Sequence, residues 1–206
     1  MNAIAPLDRT LLSNSSLRST ALCLAFCVTT QFFTVPLGAQ APPSRPEIYQ
    51  AAIDKIDFLV GEWRGEGWIM VGPGQRESFD SWERVVEVLG GSALLIEGKH
   101  FDQDEGGREG DEGAAPVHHA MATVSWSEAD QKYRFASALY DRDAGTFDGW
   151  VDDEGRFVWQ IEVQGRTMRY VIGLDEQGRW VEDGNISMDG GTNWFPFFHM
   201  TLERVD

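Results

Sequence analysis

The stretch FLVGEWRGEGWIMVGPG, from Phe58 to Gly74, alternates between apolar and polar residues as a β-strand does, yet it contains several glycines. Glycine weakens the interior of a strand because it has no side chain to pack. Gly65 and Gly67 share a side of this strand with Trp63. A strand that lacks Cβ atoms at these points can bend sharply, which predicts the first strand of a small barrel that closes on itself.

The period of two continues to the end of the chain, interrupted by turn sequences such as GPGQ, DDEG and DEQG. Charged residues occupy the opposite parity to the apolar ones, as in a wall with one buried face. Consecutive strands with short turns predict an all-β, ten-stranded antiparallel up-and-down barrel, because closure removes both edges. The predicted strands are 62–71, 77–89, 92–101, 117–127, 132–140, 146–152, 156–164, 166–174, 179–187 and 193–205.

A short helix is predicted before the barrel, at about residues 46–57. Ser44 and Glu47 have the spacing of a capping box, and Pro46 lies in the first turn. The segment is too short to be stable alone in water, so we expect it to pack on the sheet as a lid or plug. The predicted organisation is a signal peptide over 1–41, an N-terminal segment with the helix over 42–61, and the barrel over 62–206.

The first forty-one residues resemble an export signal more than a disordered arm. Arginines precede the apolar run ALCLAFCV at 21–28, and Ala39-Gln40-Ala41 is typical of a cleavage site. The run is too short to span a bilayer, which predicts an exported protein, periplasmic or secreted, with no membrane insertion after cleavage. Cys23 and Cys27 both lie in this leader, so the exported chain would have no disulfide and no thiolate site.

The chain is strongly acidic, with a formal net charge of −16 at pH 7. Such a charge repels nucleic acid and anionic lipid, so neither is expected as a partner. The glycine-rich stretch 102–116 is acidic and aperiodic, which predicts a solvated loop. One hypothesis is that the protein is a non-catalytic interaction module that presents this loop to another protein.

The letters GEWRGEG at 61–67 resemble the first strand of the calycin barrels, which include lipocalins, fatty-acid-binding proteins and nitrobindins. A closer similarity is to an uncharacterised bacterial family expected to share this barrel, from FLVGEW through EG at 97–98 to DGGTNWFPFFHMTLERV. In calycins the tryptophan seals one barrel end, and a basic residue of the last strand often lies against it. The resemblance gives these roles to Trp63 and Arg204, and implies a fold without an activity.

The resemblance to nitrobindins also implies haem as an alternative cofactor. Those proteins hold the iron through a histidine just after a proline on the last strand, whereas here Pro196 is followed by Phe197 and the histidine is His199. A displacement of two residues keeps the strand parity. The apolar periodicity nevertheless turns His199 outward as a surface histidine, unless a bulge beside Pro196 exchanges the faces. A second cavity histidine of that family corresponds to His118.

Parity places aromatic and polar side chains on the inner face of the predicted barrel. The leading hypothesis is that they bind a small apolar or aromatic molecule without any cofactor. This hypothesis rests on analogy of fold. The predicted ligand-binding residues are His118, Trp126, Phe135, Trp159, Tyr170, Glu182 and Phe198.

Enzymatic function is a further alternative. Glu182 in an apolar wall would have a raised pKa and could serve a hydrolase or isomerase as general acid or base. The other interpretation of Glu182 is a rim residue paired with an arginine. His118 and His119 point to opposite faces, and His100 approaches His118 only if the third and fourth strands pair in a suitable register. The chain contains no nucleophile elbow, phosphate loop or zinc helix motif, which favours a non-enzymatic role.

Overall fold

The computed structural model describes residues 42–103 and 115–205, and in this part the chain forms one α-helix, a 3-10 turn and ten strands. The strands are β1 Gly61–Gly72, β2 Gln75–Val88, β3 Ala93–Asp102, β4 His118–Ser127, β5 Lys132–Leu139, β6 Arg142–Val151, β7 Phe157–Val163, β8 Arg166–Leu174, β9 Trp180–Ser187 and β10 Phe195–Arg204. Each pairs antiparallel with its neighbour in sequence, and β1 also pairs with β10. The prediction of a closed ten-stranded antiparallel barrel is confirmed.

The largest difference from the predicted boundaries is in β6, and the starts of β2 and β10 each differ by two residues. β6 begins at Arg142 rather than at 146, because the hairpin turn at Tyr140 is tight and the polar sequence that follows has no apolar alternation to reveal the strand. β10 begins at Phe195 rather than at 193, because Asn193 belongs to a turn in which its backbone N–H donates to Asp189.

The helix α1, Arg45–Ile53, is shorter than predicted and is followed by a 3-10 turn at Asp57–Leu59. The capping box is confirmed, since Glu47 accepts a 2.5 Å hydrogen bond from the backbone N–H of Ser44. After Ile53 the chain turns more tightly than an α-helix, because the N–H of Ile56 donates to the carbonyl of Ile53, three residues earlier rather than four. The result is that Ile53, Ile56 and Leu59 are all buried in the barrel core.

These residues seal one end of the barrel, which we call the base. Trp63 is fully buried there, and its indole N–H donates to the carbonyl of Leu59 at 2.8 Å. The Tyr133 hydroxyl donates to the carbonyl of Ala52 at 2.5 Å, which ties α1 to β5. Arg204 lies 4.2 Å above the Trp63 ring, so the predicted cation–π contact between the first and last strands is confirmed.

The glycines of β1 are explained by the closeness of the strands at the seam. Gly65 lies opposite Leu202, and a Cβ atom at Gly65 would be 2.1 Å from the carbonyl oxygen of Thr201. A Cβ atom at Gly67 would be 2.5 Å from the ring of Phe79, which lies across the strand. Larger residues would therefore force β1 away from β10 or displace the ring, so these glycines allow the closure.

The opposite end of the barrel, which we call the mouth, is less tightly filled. Side chains near the base are almost completely buried, as shown by Leu94, Val124 and Phe157. Inward-facing side chains nearer the mouth keep part of their surface exposed, although strands surround them. These partly exposed residues are His100, His118, Phe147, Trp159, Ile161, Met168 and Tyr170. The barrel therefore has a solid base and an upper interior whose side chains are less completely buried.

The predicted signal peptide over 1–41 and most of the predicted loop over 102–116 lie outside the described residues. Within residues 42–103 and 115–205, no helix combines the length and the apolar character needed to cross a bilayer.

Candidate ligand site in the barrel interior

Three rings on β5, β7 and β8 form a parallel stack inside the barrel, which we call the inner aromatic stack. Phe135 and Trp159 have ring centroids 4.3 Å apart with an interplanar angle of 10°. Trp159 and Tyr170 are 4.2 Å apart at 6°. Offset parallel rings are a favourable arrangement of aromatic side chains. Trp159 and Tyr170 keep part of their surface exposed, although both pack against the core.

A second group of rings continues around the interior from β10 to β4. Tyr170 meets Phe198 edge to face at 5.8 Å, and Phe198 lies 5.6 Å from Phe79. Phe79 in turn stacks on His100 at 4.2 Å, and His100 lies 4.9 Å from His118. The pairing of adjacent strands brings these rings together; for example, His100 on β3 lies opposite His118 on β4. Flat groups thus line the upper interior on most sides.

Two glutamates face the same interior. Glu83 on β2 and Glu182 on β9 are each only 7% exposed. Burial raises the pKa of Glu83 to about 8, with a smaller contribution from the negative charge of Glu97. Burial also raises the pKa of Glu182 to about 8, and the nearby charge of Glu83 acts in the same direction. Both carboxyl groups are therefore largely protonated at neutral pH.

The space over Gly98 holds the Glu83 carboxyl group. A Cβ atom at Gly98 would be 2.5 and 2.6 Å from the two Glu83 oxygens. The Glu83 carboxyl also faces the His100 Nε2 atom at 3.6 Å, which is too long for a hydrogen bond. Burial lowers the pKa of His100 and of His118 to about 4, with a further contribution to His118 from His100. Both imidazoles are thus neutral at physiological pH.

Two buried indole N–H groups in the described residues have no hydrogen-bond partner, those of Trp159 and Trp180. Trp180 is 2% exposed and packs edge to face against Trp63 at 5.7 Å. Its N–H lies close enough to Glu182 to favour the ionised carboxylate, yet it completes no hydrogen bond. An unpaired buried donor is unfavourable, so this arrangement marks a place where a partner is missing.

The structure brings together most of the residues selected from the sequence. Phe135, Trp159, Tyr170 and Phe198 lie in one connected set of rings, with His118 and Glu182 facing the same interior. Glu182 is not a rim residue paired with an arginine.

Trp126 lies apart from this set, near the base. It packs on Tyr133 at 5.0 Å, and Tyr133 is tied to the helix. The structure therefore places Trp126 beside the plug rather than beside the inner aromatic stack.

His199 lies on the outer face of β10. Its Nδ1 atom is 2.8 Å from Asp183, and its ring packs on Trp68 at 6.2 Å. A bulge does occur beside Pro196, but it is Phe197 that turns inward, where it meets Tyr170 at 5.5 Å. From Phe198 onward the side chains alternate between the inner and outer faces as the apolar periodicity predicts, with His199 on the outer face.

Two residues of the interior, Glu83 and His100, could not be placed there from the sequence. The β2 sequence FDSWERV carries apolar side chains at both parities, since Trp82 is buried on the outer face under Lys99. Alternation therefore gave no sign of which way Glu83 points. A pairing of β2 with β3 through Glu83 and Gly98 would have revealed it, because only glycine leaves room for a carboxyl group there.

Gly98→Ala tests the position of the Glu83 carboxyl group. The new methyl group should push the flexible carboxylate toward the mouth and into water, so the pKa of Glu83 should fall toward its ordinary value. Carbon-detected NMR titration of the glutamate carboxyls measures this shift. Gly72→Ala, where the nearest atom is the exposed Gln75 amide oxygen at 3.1 Å, is the matched control and should leave that pKa unchanged. An unchanged pKa in Gly98→Ala would contradict the assigned position.

The outer face also carries a groove, of about 480 Å³, over β1, β2 and β10. Its lining is mixed, with Arg64, Glu66, Asp80 and Trp82 among its residues. None of these side chains belongs to the rings of the interior. The groove is open to solvent and is the main competing surface for a small ligand.

No protein-family model and no curated protein sequence matches the chain. Its fold is similar to that of S-type phycobiliprotein lyase CPES from Guillardia theta, with 11% sequence identity, a TM-score of 0.52, and coverage of 80% of this chain and 99% of that one. Rv2717c from M. tuberculosis is also 11% identical, with a TM-score of 0.49 and coverage of 75% of this chain and 98% of that one. At this identity the likeness to the lyase concerns the barrel fold alone.

Proposed function

We propose that the protein binds a small, planar, aromatic or conjugated molecule in the mouth of the barrel. The observation that carries this proposal is the inner aromatic stack, whose rings are parallel, about one ring thickness apart and, at Trp159 and Tyr170, still partly exposed inside the barrel. A flat ligand can extend such a stack or insert beside it, and the surrounding walls remove it from water. The fold is also that of a protein named a phycobiliprotein lyase, which supports the choice of a small-molecule ligand.

The entrance to the interior supports entry of an apolar molecule. Among the described residues, each pair of strands joined at the mouth has, at a strand end or in the turn beside it, a large apolar side chain that is between 46% and 66% exposed. These rim residues are Val71, Val117, Tyr140, Val163, Met188 and Phe195. Isolated apolar side chains are common on surfaces, but their presence in each connection at one end is favourable for capture of an apolar ligand. Export by the segment 1–41 is part of the same proposal.

A fluorescence titration tests the proposal. N-phenyl-1-naphthylamine, a neutral planar probe, and biliverdin, an open-chain conjugated probe, are added to the purified protein. Trp159→Leu removes the centre of the stack and should weaken binding of the neutral probe by about tenfold or more. Trp150→Leu, on the outer face of the neighbouring strand, is the matched control and should change affinity by less than about twofold. Absence of binding, or equal weakening in both variants, would overturn the proposal.

Haem is a second candidate ligand, favoured by the two interior histidines. His199 faces away from the interior, so a haem bound there would take its axial ligand from His100 or His118, whose neutral imidazoles are suited to iron. Haemin added to the purified protein should then give a Soret shift that is lost in His100→Phe or His118→Phe and kept in His199→Phe. A shift that depends on His199 alone, or no shift, would exclude this candidate.

A further inference from the structure

We propose that the ligand is an organic cation, a planar ring that carries a protonated amine, and that Glu83 and Glu182 hold its charge while the aromatic rings hold its ring. This inference rests on the proposed function and names the chemical class of its ligand. Aromatic faces attract cations through their quadrupole, and carboxylates complete the recognition of an ammonium group.

The first observation is the position of the two carboxyl groups relative to the rings. Glu182 lies close enough to Tyr170 that its charge contributes to raising the pKa of the Tyr170 hydroxyl. Glu83 faces His100, which is part of the second group of rings. The two acids also interact with each other electrostatically. Both carboxyl groups therefore face the interior beside these rings, and in the proposed complex the amine of a ring on the inner aromatic stack would lie against them.

The second observation is the lack of an internal counter-charge. The strand registers place two arginines on the inner parity at the mouth, Arg142 opposite Leu139 and Arg166 opposite Val163, and both are exposed at the rim. Between Trp63 and this rim, the described residues include no lysine or arginine on the inner face. Buried carboxylates in proteins are ordinarily paired with a cation or a metal ion. By contrast, the outer acids have partners, as with Glu97, which faces Lys99 and His119. The two inner acids thus present a site whose cation is supplied from outside.

The third observation is an unpaired donor beside one of the acids. The Trp180 indole N–H is 98% buried, has no hydrogen-bond partner among the described residues, and lies beside Glu182. A donor at this place stabilises Glu182 only when that carboxyl is ionised. Ionisation of Glu182 inside the barrel requires a nearby positive charge. A bound ammonium group would supply that charge, and the Trp180 N–H and the ammonium group would then both stabilise the ionised carboxylate.

Binding of a cation is expected to release a proton. Glu83 and Glu182 are largely protonated below about pH 8, and an ammonium group stabilises the ionised form of at least one of them. The other titratable groups of the interior are Tyr133 and Tyr170, which stay neutral, and His100 and His118, whose pKa values lie near 4. Charged groups near these residues are Glu97 and Asp183 on the outer face, and Asp141 and Arg142 at the rim. Affinity for an amine should therefore rise by up to about tenfold per pH unit between about pH 6 and pH 8.

Three probes with one ring system separate charge from shape. They are 2-naphthylmethylamine, which is cationic, 2-naphthalenemethanol, which is neutral, and 2-naphthoate, which is anionic. We expect calorimetric titration at about pH 7 to rank affinities in that order, with the amine binding about tenfold or more tightly than the alcohol. Repeating the amine titration in phosphate and in Tris, which have different ionisation enthalpies, should show release of about one proton per ligand.

The Glu83→Gln/Glu182→Gln double variant should bind amine and alcohol equally and release no proton. Glu97→Gln/Asp183→Asn removes the same number of carboxyl groups, but from the outer faces of β3 and β9, so it should keep the preference for the amine. Equal affinity of the native protein for amine and alcohol would overturn the cation assignment and leave the proposed function standing. A preference that persists in Glu83→Gln/Glu182→Gln would also overturn it. If none of the three probes binds, both proposals are wrong.

Discussion

Gly65→Ala is expected to prevent stable closure of the barrel. The new Cβ atom would lie 2.1 Å from the Thr201 carbonyl oxygen and 2.9 Å from the Leu202 Cα atom. Both are backbone atoms of β10, so no side-chain rotation relieves the contact. Because the seam between β1 and β10 closes the sheet, its separation would expose two strand edges and the core behind them. We expect a loss of about 3 kcal/mol or more in the free energy of unfolding, or failure to fold.

Urea denaturation followed by tryptophan fluorescence measures this effect. Gly72→Ala lies on the same strand, has a conformation open to other residues and meets only the Gln75 side chain at 3.1 Å. That control should change the free energy of unfolding by less than about 1 kcal/mol. If Gly65→Ala is as stable as Gly72→Ala, closure does not depend on this close approach, and the explanation given for the glycines of β1 is wrong.

The second large effect is a loss of stability as the pH rises from about 6.5 to about 8. In this window Glu83 and Glu182 are already ionised in the unfolded chain, because their ordinary pKa is near 4.5. In the folded protein they keep their protons. The folded state then binds more protons than the unfolded state, so the free energy of unfolding falls with rising pH. The slope contributed by each glutamate is up to about 1.4 kcal/mol per pH unit.

The interior histidines act in the opposite direction at lower pH. Their pKa values lie near 4 in the folded protein and near 6.5 when unfolded, so they reduce stability as the pH falls through that range. The contributions of Glu83 and Glu182 therefore dominate only above about pH 6.5. We expect the interior groups together to give maximal stability between about pH 4.5 and 6.5.

Denaturation curves at a series of pH values test this balance. In Glu83→Gln/Glu182→Gln the decline above about pH 6.5 should disappear, since no inner carboxyl remains to be ionised. Glu97→Gln/Asp183→Asn removes two carboxyl groups from the outer face instead and should keep the decline. Added salt should have little effect on it, because screening acts mainly on exposed charges. A decline that is unchanged in the inner double variant would show that surface repulsion is its cause.

The barrel could be predicted from the sequence because its main determinants are local. Alternation of apolar and polar residues gives the strands, and Gly-containing turns give their antiparallel succession. The place of closure was also predictable, from the Gly65 and Gly67 pattern and the match of Trp63 with Arg204. The end of α1 was not, because it depends on how Ile56 and Leu59 reach the core rather than on helix propensity.

The rings of the candidate site could be predicted as inward-facing, but not their contacts. The stacking of Phe135, Trp159 and Tyr170 depends on the relative registers of four strands, and these registers are tertiary properties. Glu83 escaped prediction because both faces of β2 carry apolar side chains. Its electrostatic interaction with Glu182 joins strands that are far apart in sequence and separated by β1 and β10, and no local pattern encodes it.

The most direct test of ligand binding in the interior is an NMR titration of the indole N–H signals of the eight tryptophans. N-phenyl-1-naphthylamine is added to ¹⁵N-labelled protein, and Trp159→Leu assigns the central signal by its absence. If the ligand occupies the inner aromatic stack, the Trp159 signal should move the most, with a smaller shift for Trp180, while Trp150 and Trp194 on the outer face stay in place. Shifts confined to Trp82, which lines the outer groove, would contradict the account.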